Sequence, residues 1–299
     1  MKVDIEPVFD GICHLGECPV WHMAHQKLYW TDILERRLWV YDPRTRESRR
    51  FWEGSHRVGG FAFTRNRGMV MCTDTGVYLL DAGEFGKVDG RTRKIVDVPM
   101  DPDDIFNDIT VDPKGRIFGG VMRQDNTDGT LYRIEKGKAP EPVIRGVCCP
   151  NGMTFSMDEK WFYHTDSVTC TITRYAYDAD TGAISDPAVF YQGSEAEGQP
   201  DGITLDLGDH VWAAFWGASV IRRLDPSGRA VLEIPVPAKQ PSSVMFGGKH
   251  LTDLYITTAA ESAADLEKGL DSNGIFLGGP VYRYPTAFKG RPEWLADFG

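Results

Sequence analysis

The chain has 299 residues, 41% of them hydrophobic and 25% charged, which supplies material for a full core and excludes disorder, collagen and coiled coil. Asp plus Glu (43) outnumber Lys plus Arg (33), a formal charge of −10 that argues against the basic face a nucleic-acid partner needs. No run of 18 apolar residues occurs and residues 1–6 lack a signal-peptide stretch, so no membrane partner and a cytoplasmic location are the expectations.

In chain order, the first element is a strand over residues 3–9, expected to pair into the last repeat and close the structure. A short apolar strand signal then recurs: Leu28-Tyr29-Trp30, Met69-Val70-Met71, Ile117-Phe118-Gly119, Trp161-Phe162-Tyr163, Val211-Trp212-Ala213 and Leu254-Tyr255-Ile256. Most of these are followed by a second strand ending in a turn, as in Arg37-Leu38-Trp39-Val40-Tyr41-Asp42-Pro43. No long stretch has a 3.6-residue period. Six units of about 45 residues, each with several short strands, predict an all-β six-bladed propeller of four-stranded antiparallel blades around a central channel. Six such units occupy residues 1–299 and leave no room for a second domain. Six cysteines in so long a chain, with no second pair at zinc-finger spacing, are expected to be reduced and structural.

A third strand precedes each apolar one by about 11–13 residues, and would line the channel. The leading residues of these inner strands form one ring of equivalent positions: Glu17, Gly59, Asn107, Asn151, Asp201 and Ser242. Two carboxylates and two amides converge on one axis; the two like charges would repel and resist ionisation unless a cation lay between them, and carboxylate and amide oxygens are hard ligands. Polar residues at strand starts also satisfy turn backbone. Regularity of the fold alone, however, would repeat one residue type in every blade, and these differ. The seven histidines show no ligand spacing and read as packed or surface residues; His56 and His164 are the two that could approach the channel mouth. Asp104, Asp108 and Asp112 read as solvated turn residues, and Thr165-Asp166-Ser167 is not a nucleophile elbow. The eight tryptophans read as packing between blades.

At Gly16-Glu17-Cys18-Pro19-Val20-Trp21, Phe106-Asn107-Asp108, Pro150-Asn151-Gly152, Pro200-Asp201-Gly202 and Phe246-Gly247-Gly248-Lys249 the sequence resembles the gluconolactonase/regucalcin (senescence marker protein) family. The resemblance implies one divalent metal in the channel, held by Glu17, Asn151 and Asp201, with Asn107 contacting substrate. It does not fix the ion: Ca²⁺ is the first choice, with Zn²⁺, Mn²⁺, Mg²⁺ and Fe²⁺ open. Many sugar-lactonase relatives carry an arginine two residues before the asparagine; here Ile105 stands there, which removes a guanidinium from the substrate-binding wall. Arg57 and Arg123, near inner strands in the sequence, are the candidates to replace it from another loop. The implied activity is metal-dependent opening of a sugar lactone, with Asp201 as general base and the Asn107 amide N–H on the substrate. The alternatives are an organophosphate hydrolase of the diisopropyl-fluorophosphatase type and a calcium-binding propeller without catalysis. A monomer or weak oligomer is expected.

Overall fold

In the computed structural model, which describes residues 5–299, the repeats close into a ring of six sheets, each four-stranded and antiparallel. The chain begins with β1 (Glu6–Phe9). Blade 1 follows as β2 (Gly16–His22), β3 (Lys27–Asp32), β4 (Arg37–Asp42) and β5 (Glu47–Glu53). Blade 2 is β6 (Val58–Phe63), β7 (Met69–Thr73), β8 (Gly76–Leu80) and β9 (Thr92–Val96). Blade 3 is β10 (Ile105–Val111), β11 (Ile117–Met122), β12 (Gly129–Ile134) and β13 (Glu141–Val147). Blade 4 is β14 (Pro150–Phe155), β15 (Trp161–Asp166), β16 (Thr171–Tyr177) and β17 (Ile184–Gln192). Blade 5 is β18 (Gln199–Leu205), β19 (Val211–Trp216), β20 (Val220–Leu224) and β21 (Ala230–Pro235). Blade 6 joins β22 (Pro241–Gly247), β23 (Asp253–Thr258) and β24 (Val281–Pro285) to β1, in the order β1-β24-β23-β22.

The six apolar signals of the sequence are the second strands. Packed between neighbours in the blade and between adjacent blades on both faces, they read as continuous apolar runs; β7 is buried at every residue. The outermost strands have one edge in water, and β17 is mostly exposed. Six apolar clusters fill the six inter-blade interfaces; one joins Tyr29, Phe51 and Trp52 of blade 1 to Phe61, Phe63 and Met71 of blade 2. Trp21, Trp30, Trp52 and Trp212 lie in these clusters, where inter-blade packing was expected.

The ring is closed between the ends of the chain. Glu6 pairs with Arg283 and Phe9 with Val281 across β1 and β24. Phe9 packs at a tilt against Trp30 and Trp39, with ring centroids 5.4 and 4.8 Å away, which ties blade 6 to blade 1. Of the strand expected over residues 3–9, residues 3 and 4 lie outside the described part.

Two segments stand outside the repeat. Residues 259–280 form a long connection on the side where the inner strands begin, held by Cys13 N–H to Gly279 O and Ala260 N–H to Cys13 O. Residues 286–299 cross the opposite end of the channel, anchored by Gly290 N–H to Leu251 O and Ala296 N–H to Phe63 O.

One expectation is overturned. Asp104, Asp108 and Asp112 are buried, not solvated. Asp112 accepts from Lys114 and Arg116 backbone N–H groups and from the Arg116 guanidinium. Asp104 accepts from Asp101 N–H, and Asp108 lines the channel. The turn pattern was legible in the sequence; that other blades would cover it was not.

Candidate metal centre and active site

Each of the six inner strands breaks register at its leading end: between Glu17 and Val20, Val58 and Gly60, Phe106 and Asp108, Pro150 and Met153, Pro200 and Ile203, and Pro241 and Ser243. Such a bulge takes a residue out of the alternating ladder and re-aims its side chain. This sixfold irregularity carries the predicted ring positions. At Gly59 a Cβ would lie 1.5 Å from Phe106 O, so the gap in the polar series there is steric. A Cβ on Gly152 would lie 2.4 Å from Asp201 O; the glycine after Asn151 lets blades 4 and 5 approach at the ring.

Hydroxyl and amide side chains then tie four of the six blade junctions. Thr31 Oγ1 donates to Val58 O at 2.9 Å, Asn107 Nδ2 to Pro150 O at 3.1 Å, Ser167 Oγ to Pro200 O at 2.8 Å, and Ser242 Oγ to Gly16 O. Ser167 also accepts from Asn151 Nδ2 at 3.1 Å, which fixes the amide and leaves Asn151 Oδ1 buried without a hydrogen bond among the described residues. Asp201 Oδ1 is in the same state. Glu17 accepts from Cys18 N–H through Oε2 alone. The three side chains are 4–5% exposed.

Their electrostatics are unfavourable. Burial first, then the facing Asp201 and Asp108 carboxylates, push Glu17 well above the usual carboxylate range. Burial, then Asp108 and Glu261, do the same to Asp201, against the pull of the Asn151 amide beside it. Burial lifts Asp108 to about 7. Like charges gathered out of water with unpartnered oxygens are costly unless a cation compensates them. The donor set of two carboxylates and one amide oxygen fits a hard divalent ion. Among the described residues no cluster of three His, Cys, Asp or Glu is placed to hold a metal ion.

The remaining predicted residues sit around this core. Asn107 is half-buried, and its N–H groups face Pro150 O and, at 3.8 Å, Cys149 Sγ. The N–H expected to meet substrate is therefore engaged, and the amide oxygen is the free end. Ile105 is buried and pairs with Met122 in blade 3. Arg57 is held by Asp74 at 2.9 Å, and Arg123 pairs with Asp101, with Asp104 at 4.0 Å, so neither is an unpaired replacement for the missing arginine. His56 lies near the mouth against Thr75 and Asp74, whereas His164 is buried in blade 4. All six cysteines are free.

Three contributors were missed. Ser167 was set aside with its tripeptide, Glu261 lies in the connection outside the repeat, and Asp166 accepts from Cys148 and Cys149 N–H to shape the turn before Asn151. The only sequence signal for Ser167 and Asp166 was their place at the end of a second strand, as for Thr31 in blade 1.

Comparison with known proteins follows this geometry. The model of the SMP-30/Gluconolactonase/LRE-like region matches residues 15–260, from the first inner strand to the residue before Glu261. The chain belongs to this family. Within it, the chain is 37% identical to the pentonolactonase XacC of Haloferax volcanii, over 97% of each chain. It is 35% identical to the 6-deoxy-6-sulfogluconolactonase of Pseudomonas putida, over 83% of this chain and 84% of that one. The solved structure of a calcium-binding protein, regucalcin, from Agrobacterium tumefaciens superposes with a TM-score of 0.89 at 25% identity, covering 98% and 97% of the two chains. The family is thus one of sugar lactone lactonases and regucalcins, built on the propeller described above.

Proposed function

We propose that this protein hydrolyses a sugar lactone to the open hydroxy acid, at a single divalent cation held by Glu17, Asn151 and Asp201. The observation that carries the reading is the pair of buried, unpartnered oxygens, Asn151 Oδ1 and Asp201 Oδ1, beside a Glu17 carboxyl whose ionisation its neighbours oppose. The names of its lactonase relatives support the substrate class. A cation bound there supplies Lewis-acid polarisation of the lactone carbonyl and of water.

The rest is done by the chain's own groups. Asp201, made more basic by burial and by Asp108 and Glu261, accepts the proton of the attacking water. Glu17 and Asp201 together bring two negative charges, which match the charge of a dication. Asn107, with its N–H groups engaged, offers its oxygen to a substrate hydroxyl. Ile105 in place of an arginine, and the pairing of Arg57 and Arg123 to carboxylates, leave that side of the mouth without a free guanidinium. A lactone with fewer hydroxyls on that side is the substrate this wall favours. The oxygen-only donor set ranks Ca²⁺, Mg²⁺ and Mn²⁺ ahead of Zn²⁺ and Fe²⁺.

Chelator-stripped protein assayed on five- and six-carbon aldonolactones, with each of these ions added back, tests the reading. Hydrolysis restored by a divalent ion is the expected result. Metal binding with no lactone opened, or a phosphotriester cleaved in preference, would overturn it.

A further inference from the structure

A second cavity lies beyond the ring, toward the other end of the channel. It is a chamber of about 250 Å³ whose walls are later residues of the same inner strands and whose floor is the C-terminal segment. Ile109, Met153, Val244 and Trp294 make its walls mostly hydrocarbon, and Asp108 and Glu293 are its two acidic groups. A dry cavity of about 150 Å³ already accommodates benzene, so this one holds a ring and a short arm.

Neither acid makes an ion pair among the described residues. Glu293 makes no hydrogen bond or ion pair among the described residues, because the neighbouring Arg291 guanidinium lies over the Trp294 ring at 3.4 Å instead. Asp108, 7% exposed, uses one oxygen on Ile109 N–H at 2.7 Å, and its other oxygen has no partner among the described residues. Thr110, Thr154 and Thr204 bring hydroxyl groups to the same walls. Two carboxyl groups in an apolar enclosure, with only the Arg291 guanidinium near enough to Glu293 to oppose its charge, favour a cation, whereas a neutral sugar lactone gains little from them and an anion is repelled. The floor also offers a route in. Residues 291–295 make no backbone–backbone hydrogen bond, while Gly290 and Ala296 on either side are anchored to blades 6 and 2.

We propose that this chamber is a second ligand site, beyond the lactone-hydrolysing ring, that takes a compact apolar primary ammonium, with the charge on Glu293 and Asp108 and the hydrocarbon against Ile109, Met153, Val244 and Trp294. The hydroxyls of Thr110, Thr154 and Thr204 are the acceptors within the same walls for the remaining ammonium hydrogens.

Calorimetric titration of the full chain with 2-phenylethylammonium, against its neutral isostere 2-phenylethanol, tests the site. The expected result is one equivalent of amine bound, the alcohol binding about tenfold more weakly or worse, and a similar loss in Glu293→Gln. Met245→Trp, which grows a half-buried wall residue into the chamber, abolishes binding should Glu293→Gln fold poorly. Asp201→Asn retains it, which separates the chamber from the ring whatever the ring does. Equal binding of the alcohol, binding untouched by both chamber variants or lost in Asp201→Asn, or no binding at millimolar amine would overturn the proposal.

Discussion

Two buried polar clusters in this propeller have opposite states of satisfaction. In the first, Asp112, Arg116 and Tyr177 lock the ends of blades 3 and 4. Arg116 donates to Asp112, to Tyr177 OH at 3.1 Å, and to the carbonyls of Ala179 and Asp180 at 2.7 and 3.0 Å; Tyr177 OH donates to Asp112 at 2.8 Å. Positive and negative charge balance, and the carboxylate accepts four hydrogen bonds while the guanidinium donates four. In the second, Glu17, Asn151 and Asp201 share the channel mouth with like charges and orphaned oxygens. The first cluster is complete in the folded chain and belongs to stability. The second leaves buried oxygens without partners among the described residues, and is the one the proposed cation would complete. Burial of charge distinguishes neither; the partner inventory does.

The sharpest way to break this contrast is to neutralise one member of the ring. Asp201→Asn is expected to lower lactone turnover by about 10² to 10⁴. In chelator-stripped protein it should leave the melting temperature unchanged or raised, because a like charge beside Glu17 is removed. A large fall in melting temperature would place Asp201 with the structural cluster.

The converse substitution, Arg116→Met, strands Asp112 in the interior. It is expected to cost about 3–5 kcal/mol in denaturant unfolding, while the folded fraction keeps its affinity for the divalent ion. Loss of metal binding without loss of stability would erase the distinction.

His164 offers a comparison by pH. It is buried in blade 4, its Nε2 has no partner among the described residues, and burial lowers its pKa to about 4 from an ordinary 6.5. The native state therefore keeps the ring neutral where the unfolded chain is protonated. Its contribution is present above pH 6.5 and is lost as the pH falls toward 4, by about 3 kcal/mol at 1.36 kcal/mol per unit. Replacing it with Phe should flatten that part of the stability profile; an unchanged slope would assign the acid sensitivity to other groups.

The smallest expected effect concerns Ser167, which touches both sides of the ring. Ser167→Ala frees the Asn151 amide to rotate and is expected to weaken divalent-ion binding by about 10- to 100-fold. Little change in melting temperature should accompany it, and equilibrium dialysis reads the affinity directly. Unaltered affinity would mean that blade packing alone orients Asn151.

Much of this was written in the sequence. The second strands announce themselves because burial on both faces forces continuous apolar runs, and their sixfold recurrence dictates the propeller. The ring positions were legible because equivalent residues of a repeat must lie at equivalent radii, so a departure from uniformity at Glu17, Asn107, Asn151 and Asp201 stands out against the fold. Only the tertiary structure decided the rest. The orientation of an amide depends on which carbonyl of the next blade lies within 3 Å, so Asn107 turned its oxygen outward and Ser167 became a support for Asn151. Burial is a property of neighbours distant in sequence, so Asp108 and Asp112 left the solvent. The two segments outside the repeat, which have no counterpart in other blades from which to be read, brought Glu261 toward the ring and Glu293 into the chamber.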